Sequence, residues 1–171
     1  MRRVFGITGW KNSGKTTLTE KLVTELVARG WTVSTVKHAH HDFDIDKPGA
    51  DSFRHRQAGA TEVAIVSGRR WALMHELRGE NEPTLDDILA RLAPSDIVLV
   101  EGYKRQAHKK IEARRLEAKD RTPLSANDPN IVAIAADFTV EGETSPVFDL
   151  NDTKSIADFV ERSTGLVAQT K

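Results

Sequence analysis

The sequence predicts an α/β fold in which a mostly parallel β-sheet is flanked by helices and carries an added antiparallel hairpin and edge strands. Three patterns support this prediction. An apolar segment, a Gly-rich loop and an amphipathic segment follow one another in residues 4–29, which is the order of a strand, a loop and a helix. Further apolar segments of strand length are separated by helical patterns. Residues 61–77 show the alternation and the central turn of a hairpin.

The first strand is predicted at Val4–Thr8, and the loop after it fits the pattern GxxxxGK[ST] without a mismatch. The helix after the loop runs from Thr17 to Arg29 and ends at Gly30. This order of strand, loop and helix is the phosphate-binding unit of P-loop NTPases. We therefore expect a nucleoside triphosphate to bind at the nine loop residues Gly9, Trp10, Lys11, Asn12, Ser13, Gly14, Lys15, Thr16 and Thr17.

Each part of this loop has a physical role in holding phosphate. Backbone N–H groups of the Gly-rich segment converge on the phosphates, and the amino end of the helix adds a partial positive charge. Lys15 would reach the β- and γ-phosphates, while the Thr16 hydroxyl would complete the coordination of a Mg²⁺ ion that bridges them. Lys11 lies two residues after Gly9, whereas the signature lysine of deviant Walker ATPases lies one residue after it, so we interpret Lys11 as an exposed loop residue.

A second strand is predicted at Thr32–His38, parallel to the first strand and beside it by the crossover rule. Residues Ala39–Ala50 contain several Asp residues and a Pro-Gly pair but little apolar periodicity. We therefore expect an exposed loop beside the phosphate site. A short helix is predicted at Asp51–Ala58, closed by Gly59.

Two strands at Thr61–Ser67 and Trp71–Leu77, joined around residues 67–70, predict an antiparallel hairpin added to the parallel sheet. Thr84 is suited to cap a helix that runs through Leu92 and has acidic residues in its first turn. This helix would return the chain to the core.

The segment Asp96–Gly102 has four apolar residues between acidic ones, the form of a central strand that delivers a carboxylate at its carboxyl end. It is the Walker B candidate, and Glu101 would lie near Mg²⁺ or its water as metal ligand and catalytic residue. The usual ligand is Asp, and the longer Glu more often orients a water. The alternative is that Glu101 only ends a buried strand. We also expect an edge strand at Lys109–Arg115, a core strand at Ile131–Ala136 and a closing helix at Ser155–Arg162.

Six side chains in one short segment are potential metal ligands or acid–base groups: His38, His40, His41, Asp42, Asp44 and Asp46. Their spacing matches no standard zinc pattern, so polar loop or substrate contacts, or an Asp bound to Mg²⁺ through water, are favoured. In the following helix, Asp51, Arg54 and His55 share one face. That face would meet either an anionic partner or solvent.

The preference for a base is not set by the loop motif, and the guanine-reading Asn-Lys-x-Asp sequence of GTPases is absent. The nearest approximation is the segment Ser125–Asp128. The Asp128 carboxylate would accept hydrogen bonds from guanine N1–H and the exocyclic amine, which adenine does not offer in that arrangement. The alternative is an ordinary Asn-Asp-Pro turn.

The composition limits the partners of the chain. Lys and Arg total 25 residues, as do Asp and Glu, so the formal net charge is zero and no general basic field favours nucleic acid. Cysteine is absent, which excludes disulfides and thiolate metal sites. No apolar run approaches the roughly 20 residues needed to cross a bilayer, and the first strand follows the first residues without a signal peptide. We expect residues 1–171 to form a single cytoplasmic nucleotide-binding domain with no membrane contact.

Several segments outside the loop carry a resemblance to a known family: Val36–His41, Asp44–Ser52, Ala58–Ala60, Arg70–Met74, Val100–Lys104, Asp149–Asp152 and Ala157–Val160. Together they resemble the molybdopterin-guanine dinucleotide biosynthesis protein B (MobB) family nearly from end to end.

The resemblance implies a GTP-binding P-loop adapter that assists attachment of GMP to molybdenum-bound molybdopterin. The transfer itself would belong to a separate nucleotidyltransferase, MobA, and the molybdenum insertase is a further implied partner. The resemblance also implies weak GTPase activity and a homodimer whose sheets join across the interface. The predicted hairpin and edge strands are compatible with such pairing.

A second hypothesis is a small P-loop kinase that phosphorylates a small molecule. In that case an Arg side chain would clamp phosphates and an Asp would accept a hydroxyl proton, the candidates being Arg54, Arg56, Arg69, Arg70, Asp44 and Asp46. A metallochaperone GTPase that uses the His residues and a nucleic-acid-binding ATPase have less support from the sequence.

Overall fold

The computed structural model describes residues 2–39 and 43–167. His40, His41 and Asp42, which the sequence offered as metal ligands, lie outside the described residues. The chain divides into two compact units, one comprising Met1–His38 and Ile88–Lys171 and the other Ala39–Asp87. The elements in chain order are β1 (Val4–Thr8), α1 (Lys15–Ala28), β2 (Val33–Lys37), α2 (Asp51–Gln57), β3 (Glu62–Val66), β4 (Trp71–His75), α3 (Leu85–Arg91), β5 (Ile97–Glu101), β6 (Lys110–Arg114), β7 (Ile131–Ala136), β8 (Val147–Asp149) and α4 (Thr153–Thr164), with a short 3-10 helix at Ser125–Asn127.

The larger unit contains a six-stranded sheet in the order β2-β5-β1-β6-β7-β8. Every neighbouring pair in this sheet is parallel. The register places Ile7 of β1 and Lys37 of β2 opposite Glu101, the last residue of β5. The carboxyl ends of these three strands therefore meet at one edge of the sheet, where the loop after β1 begins.

One face of this sheet is covered by α1 and α4, which share an apolar core with the strands. Leu18, Leu22 and Leu26 face the sheet at the spacing of an amphipathic helix, and all three are buried. The ring of Phe5 from β1 meets the ring of Phe159 from α4 edge to face, with centroids 6.4 Å apart. This packing holds both α1 and α4 against the strands.

The opposite face carries buried charge where β6 passes through it. Lys110, Glu112 and Arg114 alternate along β6 and are at most 6% exposed. Their charges are paired within the unit: Lys110 Nζ lies 2.7 Å from Asp128, and Arg114 Nη2 lies 2.8 Å from Glu112 and 2.7 Å from Glu143. Buried charges are retained only when they are paired and hydrogen-bonded in this way.

The smaller unit contains α2 and a two-stranded antiparallel sheet of β3 and β4. Val63 and Met74 face each other across this sheet and are buried, while Val66 and Trp71 are exposed. The strand β3 contacts α2. The hairpin thus buries one face within its own unit.

The predicted fold class is confirmed, and β1 and β7 have the predicted bounds. Three predictions of strand arrangement are wrong. The strand β2 is parallel to β1 but is separated from it by β5, because all five residues of β5 are buried and such a strand is stable with neighbours on both sides.

The predicted edge strand, β6, lies between β1 and β7 because its charged side chains are neutralised beneath the loops. The hairpin forms its own sheet and is not added to the parallel one, because its apolar face packs within the smaller unit. The three-residue strand β8 was not predicted. Among the described helices, none is long and apolar enough to cross a membrane.

Candidate functional site

The loop between β1 and α1 has a backbone that its glycines make possible. Gly9 and Gly14 have φ angles of 143° and 90°, and Asn12 has a φ of 63°. A Cβ atom at Gly9 would lie 2.4 Å from Ser13 Oγ and 2.5 Å from the carbonyl oxygen of Ala113. Both glycines are therefore required by conformation, and Gly9 also by close contact.

The amino end of α1 opens directly onto this loop. Gly14 is the N-cap residue, and no side chain caps the helix. The first N–H groups of a helix have no partner within it, and they carry a partial positive charge. This end of α1 is consequently suited to an anion such as phosphate.

The two polar residues predicted to act on phosphate and metal lie at this helix start. Lys15 Nζ donates a hydrogen bond to the carbonyl oxygen of Trp10 at 2.6 Å. Burial lowers the pKa of the Lys15 ammonium, and the positive charges of Lys104 and Lys37 lower it further, while Glu101 opposes them. Several positive charges therefore converge where the sequence predicts phosphate.

Thr16 and Glu101 are brought together although they are far apart in sequence. Thr16 Oγ1 donates to Glu101 Oε1 at 3.0 Å, and Lys37 Nζ lies 3.5 Å from the same oxygen. Glu101 is 8% exposed at the end of β5. A hydroxyl and a carboxylate thus meet beside the loop, as the Walker B prediction requires.

A cleft of about 420 Å³ lies over the loop, lined by residues 12–17 together with Arg115 and Glu117. The Ser13 Oγ atom is buried and has no hydrogen-bond partner among the described residues. A depression of about 530 Å³ in the smaller unit has two polar lining residues, His55 and Glu62, and four apolar ones, Ala58, Ala60, Val63 and Ala64. In the part of the chain that the structure describes, no Gly-rich loop or helix start lines it. The loop cleft is therefore the candidate site.

Two loop residues face elsewhere. Trp10 Nε1 donates to the carbonyl oxygen of Thr122 at 2.8 Å, and Lys104 Nζ lies 4.2 Å from the centre of the Trp10 ring. These contacts tie the loop to the segment after β6, through Thr122, and to the segment between β5 and β6, through Lys104. Lys11 is exposed, in agreement with its interpretation as an exposed loop residue.

Asp128 is not brought to the loop. It precedes β7 and lies at the amino end of that strand, whereas the loop follows the carboxyl end of β1. Its two carboxylate oxygens bind Lys110 Nζ at 2.7 Å and the backbone and side-chain N–H groups of Asn130 at 2.9 Å. Although burial opposes it, hydrogen bonding from Lys110 and Asn130 lowers the pKa of Asp128. The carboxylate ties β6 to the turn before β7.

The acidic segment after β2 has a partner of its own within the smaller unit. Arg56 Nη2 binds both carboxylate oxygens of Asp44, at 2.9 and 3.0 Å, and Arg56 Nη1 binds Glu76 at 2.9 Å. Asp46 Oδ1 accepts from Ser52 Oγ at 3.0 Å. In the described part of the chain, no group of three or more His, Cys, Asp or Glu side chains is arranged to hold a metal ion.

Arg115 was missed by reasoning from the sequence. It lies one residue beyond β6, and its side chain crosses the N-cap of α1. The available signal was its position after a predicted strand, because ligands of parallel α/β sheets bind outside the carboxyl ends of the strands. The prediction that this strand was at an edge removed that signal.

The chain is similar to known proteins over most of its length. The family model described as molybdopterin guanine dinucleotide synthesis protein B, MobB, matches residues 4–137. A protein of Escherichia coli named molybdopterin-guanine dinucleotide biosynthesis adapter protein is 39% identical, over 92% of this chain and 90% of its own length. The protein of the same name from Haemophilus influenzae is 40% identical, over 92% of this chain and 87% of its own length. The crystal structure of a MobB homologue from Bacillus stearothermophilus is 33% identical, with a TM-score of 0.73, and the match covers 96% of this chain and 99% of that one.

Proposed function

This chain belongs to the MobB family of adapters of molybdopterin-guanine dinucleotide biosynthesis, and we propose that it serves this biosynthesis as a GTP-binding protein. The observation that carries the proposal is the meeting of the uncapped amino end of α1, Lys15 and the Thr16–Glu101 pair at one cleft. Backbone donors, a cation and two oxygen ligands are what a nucleotide triphosphate with Mg²⁺ requires.

The Lys15 side chain is positioned by a contact within the loop. Its ammonium group has three N–H donors, and one of them forms a hydrogen bond with the carbonyl oxygen of Trp10 at 2.6 Å. Binding of a triphosphate would leave the remaining donors for the β- and γ-phosphates. The lowered pKa of Lys15 is raised again by a bound polyanion, so the ammonium form is favoured when the nucleotide is present.

The oxygen donors at the loop fit Mg²⁺. Thr16 Oγ1 and Glu101 Oε1 are hard ligands 3.0 Å apart, and Mg²⁺ binds proteins through one or two such groups and completes its shell with water and phosphate oxygens. The bound ion would neutralise charge on the phosphates. Before that, the Thr16 hydroxyl and the Lys37 ammonium orient the Glu101 carboxylate.

The adapter proposal includes protein partners. We propose that the nucleotidyltransferase MobA and the molybdenum insertase bind this chain, and that the chain forms a homodimer in the cytoplasm. The exposed side chains of Val66, Trp71 and Leu73, which are 75%, 70% and 51% exposed on one face of the hairpin, support a surface that contacts protein. Turnover of GTP would be slow, because binding and release, not chemistry, serve an adapter.

A kinase is less well supported by the structure. Arg56 and Asp44, which a kinase would use for a phosphate and a hydroxyl, bind each other through two hydrogen bonds. Freeing either would leave the other charge without its partner.

The test is calorimetric titration of the purified protein with GTP and with ATP at equal Mg²⁺ concentration. We expect binding of GTP, weaker binding of ATP, and loss of both with Lys15→Ala. Lys154→Ala, an exposed lysine of α4, is the matched control and should bind as the wild type does.

The outcomes separate the possibilities. Normal GTP affinity in a folded Lys15→Ala variant would exclude the loop as the site. Equal or tighter binding of ATP would reject GTP as the specific nucleotide.

A further inference from the structure

We propose that Arg115 binds the terminal phosphate of the nucleotide, as a second cation of the loop cleft. The inference rests on the proposed function, since it requires a nucleotide triphosphate at this loop. It adds a residue that the loop motif does not contain and that gives the cleft a means of distinguishing GTP from GDP.

The position of Arg115 is fixed by β6. Thr8 of β1 pairs with Glu112, so Arg115 lies three residues beyond the level at which β1 ends. Its Cδ and Cγ atoms lie 3.1 and 3.4 Å from the position that a Cβ of Gly14 would occupy. The aliphatic part of Arg115 therefore packs over the N-cap of α1, and the side chain lines the cleft with residues 12–17.

The Arg115 guanidinium forms two weak contacts with carboxylates beside the cleft. Arg115 Nε lies 3.4 Å from Asp137 Oδ2, and Nη2 lies 3.2 Å from Glu117 Oε2. The side chains of Arg115 and Glu117 are 40% and 79% exposed. Exposed ion pairs of this kind contribute little to stability, so the guanidinium exchanges partners at small cost.

The carboxylate of Asp137 has a second role that keeps this arrangement in place. Its Oδ1 accepts a hydrogen bond from the backbone N–H of Leu116 at 2.7 Å, which fixes the chain just after Arg115. The backbone at Arg115 is thus anchored, while its guanidinium can exchange the contacts with Asp137 and Glu117 for one with a phosphate in the cleft.

The chemistry of the cleft favours an anion as the new partner. Ser13 is one of the residues that line the cleft, and its buried Oγ has no hydrogen-bond partner in the described ranges. Lys15 and Arg115 approach the start of α1 from different elements, α1 itself and the end of β6. A guanidinium presents two parallel N–H donors to phosphate oxygens, and the terminal phosphate of a triphosphate offers the most charge.

A purely structural role for Arg115 predicts a different result. If the side chain only packs on Gly14 and neutralises Asp137, its replacement would change stability and would weaken all nucleotides alike. Contact with the terminal phosphate instead predicts an effect that depends on how many phosphates the ligand carries.

The experiment is calorimetric titration of the full chain with GTP and with GDP, both with Mg²⁺, using Arg115→Gln and Arg115→Lys. We expect Arg115→Gln to weaken GTP binding by about tenfold, the size of one charge-assisted contact, and to weaken GDP binding less than about twofold. Arg115→Lys should retain part of the GTP affinity. Arg91→Gln, at an exposed helix end, removes the same charge and should leave both affinities unchanged.

A further variant tests whether Glu117 competes with the nucleotide phosphate for the Arg115 guanidinium. Glu117→Gln removes the carboxylate that holds Arg115 and repels phosphate, so GTP binding should become about two- to threefold tighter. Weaker GTP binding in this folded variant would contradict the inference.

The outcomes also separate the inference from the function on which it rests. If the wild type binds GTP and Arg115→Gln binds it equally well, or loses GTP and GDP affinity in equal measure, Arg115 does not contact the terminal phosphate, although the proposed function stands. If the wild type binds neither nucleotide, both proposals fail. Thermal unfolding of each variant reports whether it is folded.

Discussion

Single residues of the loop were predictable from the sequence because their roles depend on local geometry. Gly9, Lys15 and Thr16 follow from a motif in which spacing along the chain sets spacing in space. Glu101 followed from a different rule, that a carboxylate at the end of a central strand lies beside the loop. The structure shows it 3.0 Å from Thr16 Oγ1.

Other residues of the site were not predictable, because their positions depend on which strands are neighbours. Arg115 and Glu117 reach the cleft only because β6 lies next to β1. Asp128 was chosen from a short sequence likeness, but its carboxylate is engaged by Lys110 and Asn130 at the amino end of β7. A sequence likeness of a few residues carries no information on which end of a strand it occupies.

His108 provides a prediction about pH. Both of its ring nitrogens are buried without hydrogen-bond partners among the described residues. Burial, together with the positive charge of the nearby Lys110, lowers its pKa from 6.5 to about 4, although Asp128 acts in the opposite direction. The folded protein therefore keeps this imidazole neutral at pH values where the unfolded chain would protonate it.

The sign of the pH dependence follows from this difference. Between pH 6.5 and about 4 the unfolded chain binds more protons at this residue, so stability is full above pH 6.5 and falls as the pH is lowered toward 4. We expect His108→Phe to reduce this loss, as measured by urea unfolding at a series of pH values. His55→Gln, an exposed control, should leave the profile as it is. An unchanged profile in a folded His108→Phe variant would contradict the assignment.

Among the secondary-structure elements, the buried strands with apolar sequences were predicted best. The strands β1, β5 and β7 are almost entirely buried and read as continuous apolar segments. The strand β6 has the same burial but carries three charged residues, so its sequence resembles an exposed edge. The short strand β8 has three residues, too few for a period to be read.

The buried charges of β6 lead to a prediction of stability. Glu112 accepts hydrogen bonds from the N–H groups of Leu124 and Ser125, at 3.0 and 3.1 Å, and from Arg114 at 2.8 Å. Glu112→Leu would leave these donors without their acceptor in a buried place. We expect the free energy of unfolding to fall by about 3–5 kcal/mol in urea titrations.

A double variant is the control for that prediction. In Glu112→Leu with Arg114→Met, the Glu112–Arg114 pair is removed as a whole. Glu143 then loses its contact with Arg114, but the double variant should still be less destabilised than the sum of its single variants. A double variant that is as unstable as the sum of its single variants would show that the two charges do not interact, contrary to their 2.8 Å contact.

At the scale of the whole molecule, the sequence predicted the parallel α/β sheet but not that the chain divides into two compact units. The boundaries at residues 38 and 88 are not marked by a change of composition or by a flexible linker sequence. What defines the smaller unit is a set of contacts distant in sequence. Arg56 of α2 binds Asp44 before it and Glu76 after it, and Arg78 Nη2 donates to the carbonyl oxygens of Arg56 and Ala60.

These contacts predict that the smaller unit opens independently when Arg56 is replaced. The side chain of Arg56 is 11% exposed and has ion pairs with three carboxylates, those of Asp44, Asp46 and Glu76. Arg56→Met would leave them without their shared cation and would loosen residues 43–79. Hydrogen exchange followed by mass spectrometry should show faster exchange in peptides of β3 and β4. Peptides of β1, β5 and β7 should exchange at the wild-type rate, because the six-stranded sheet has its own hydrogen bonds and core.

The control is Arg54→Met, two residues earlier, where the side chain is 74% exposed; it should leave exchange in both sheets unchanged. Faster exchange throughout both sheets would mean that the two units unfold as one.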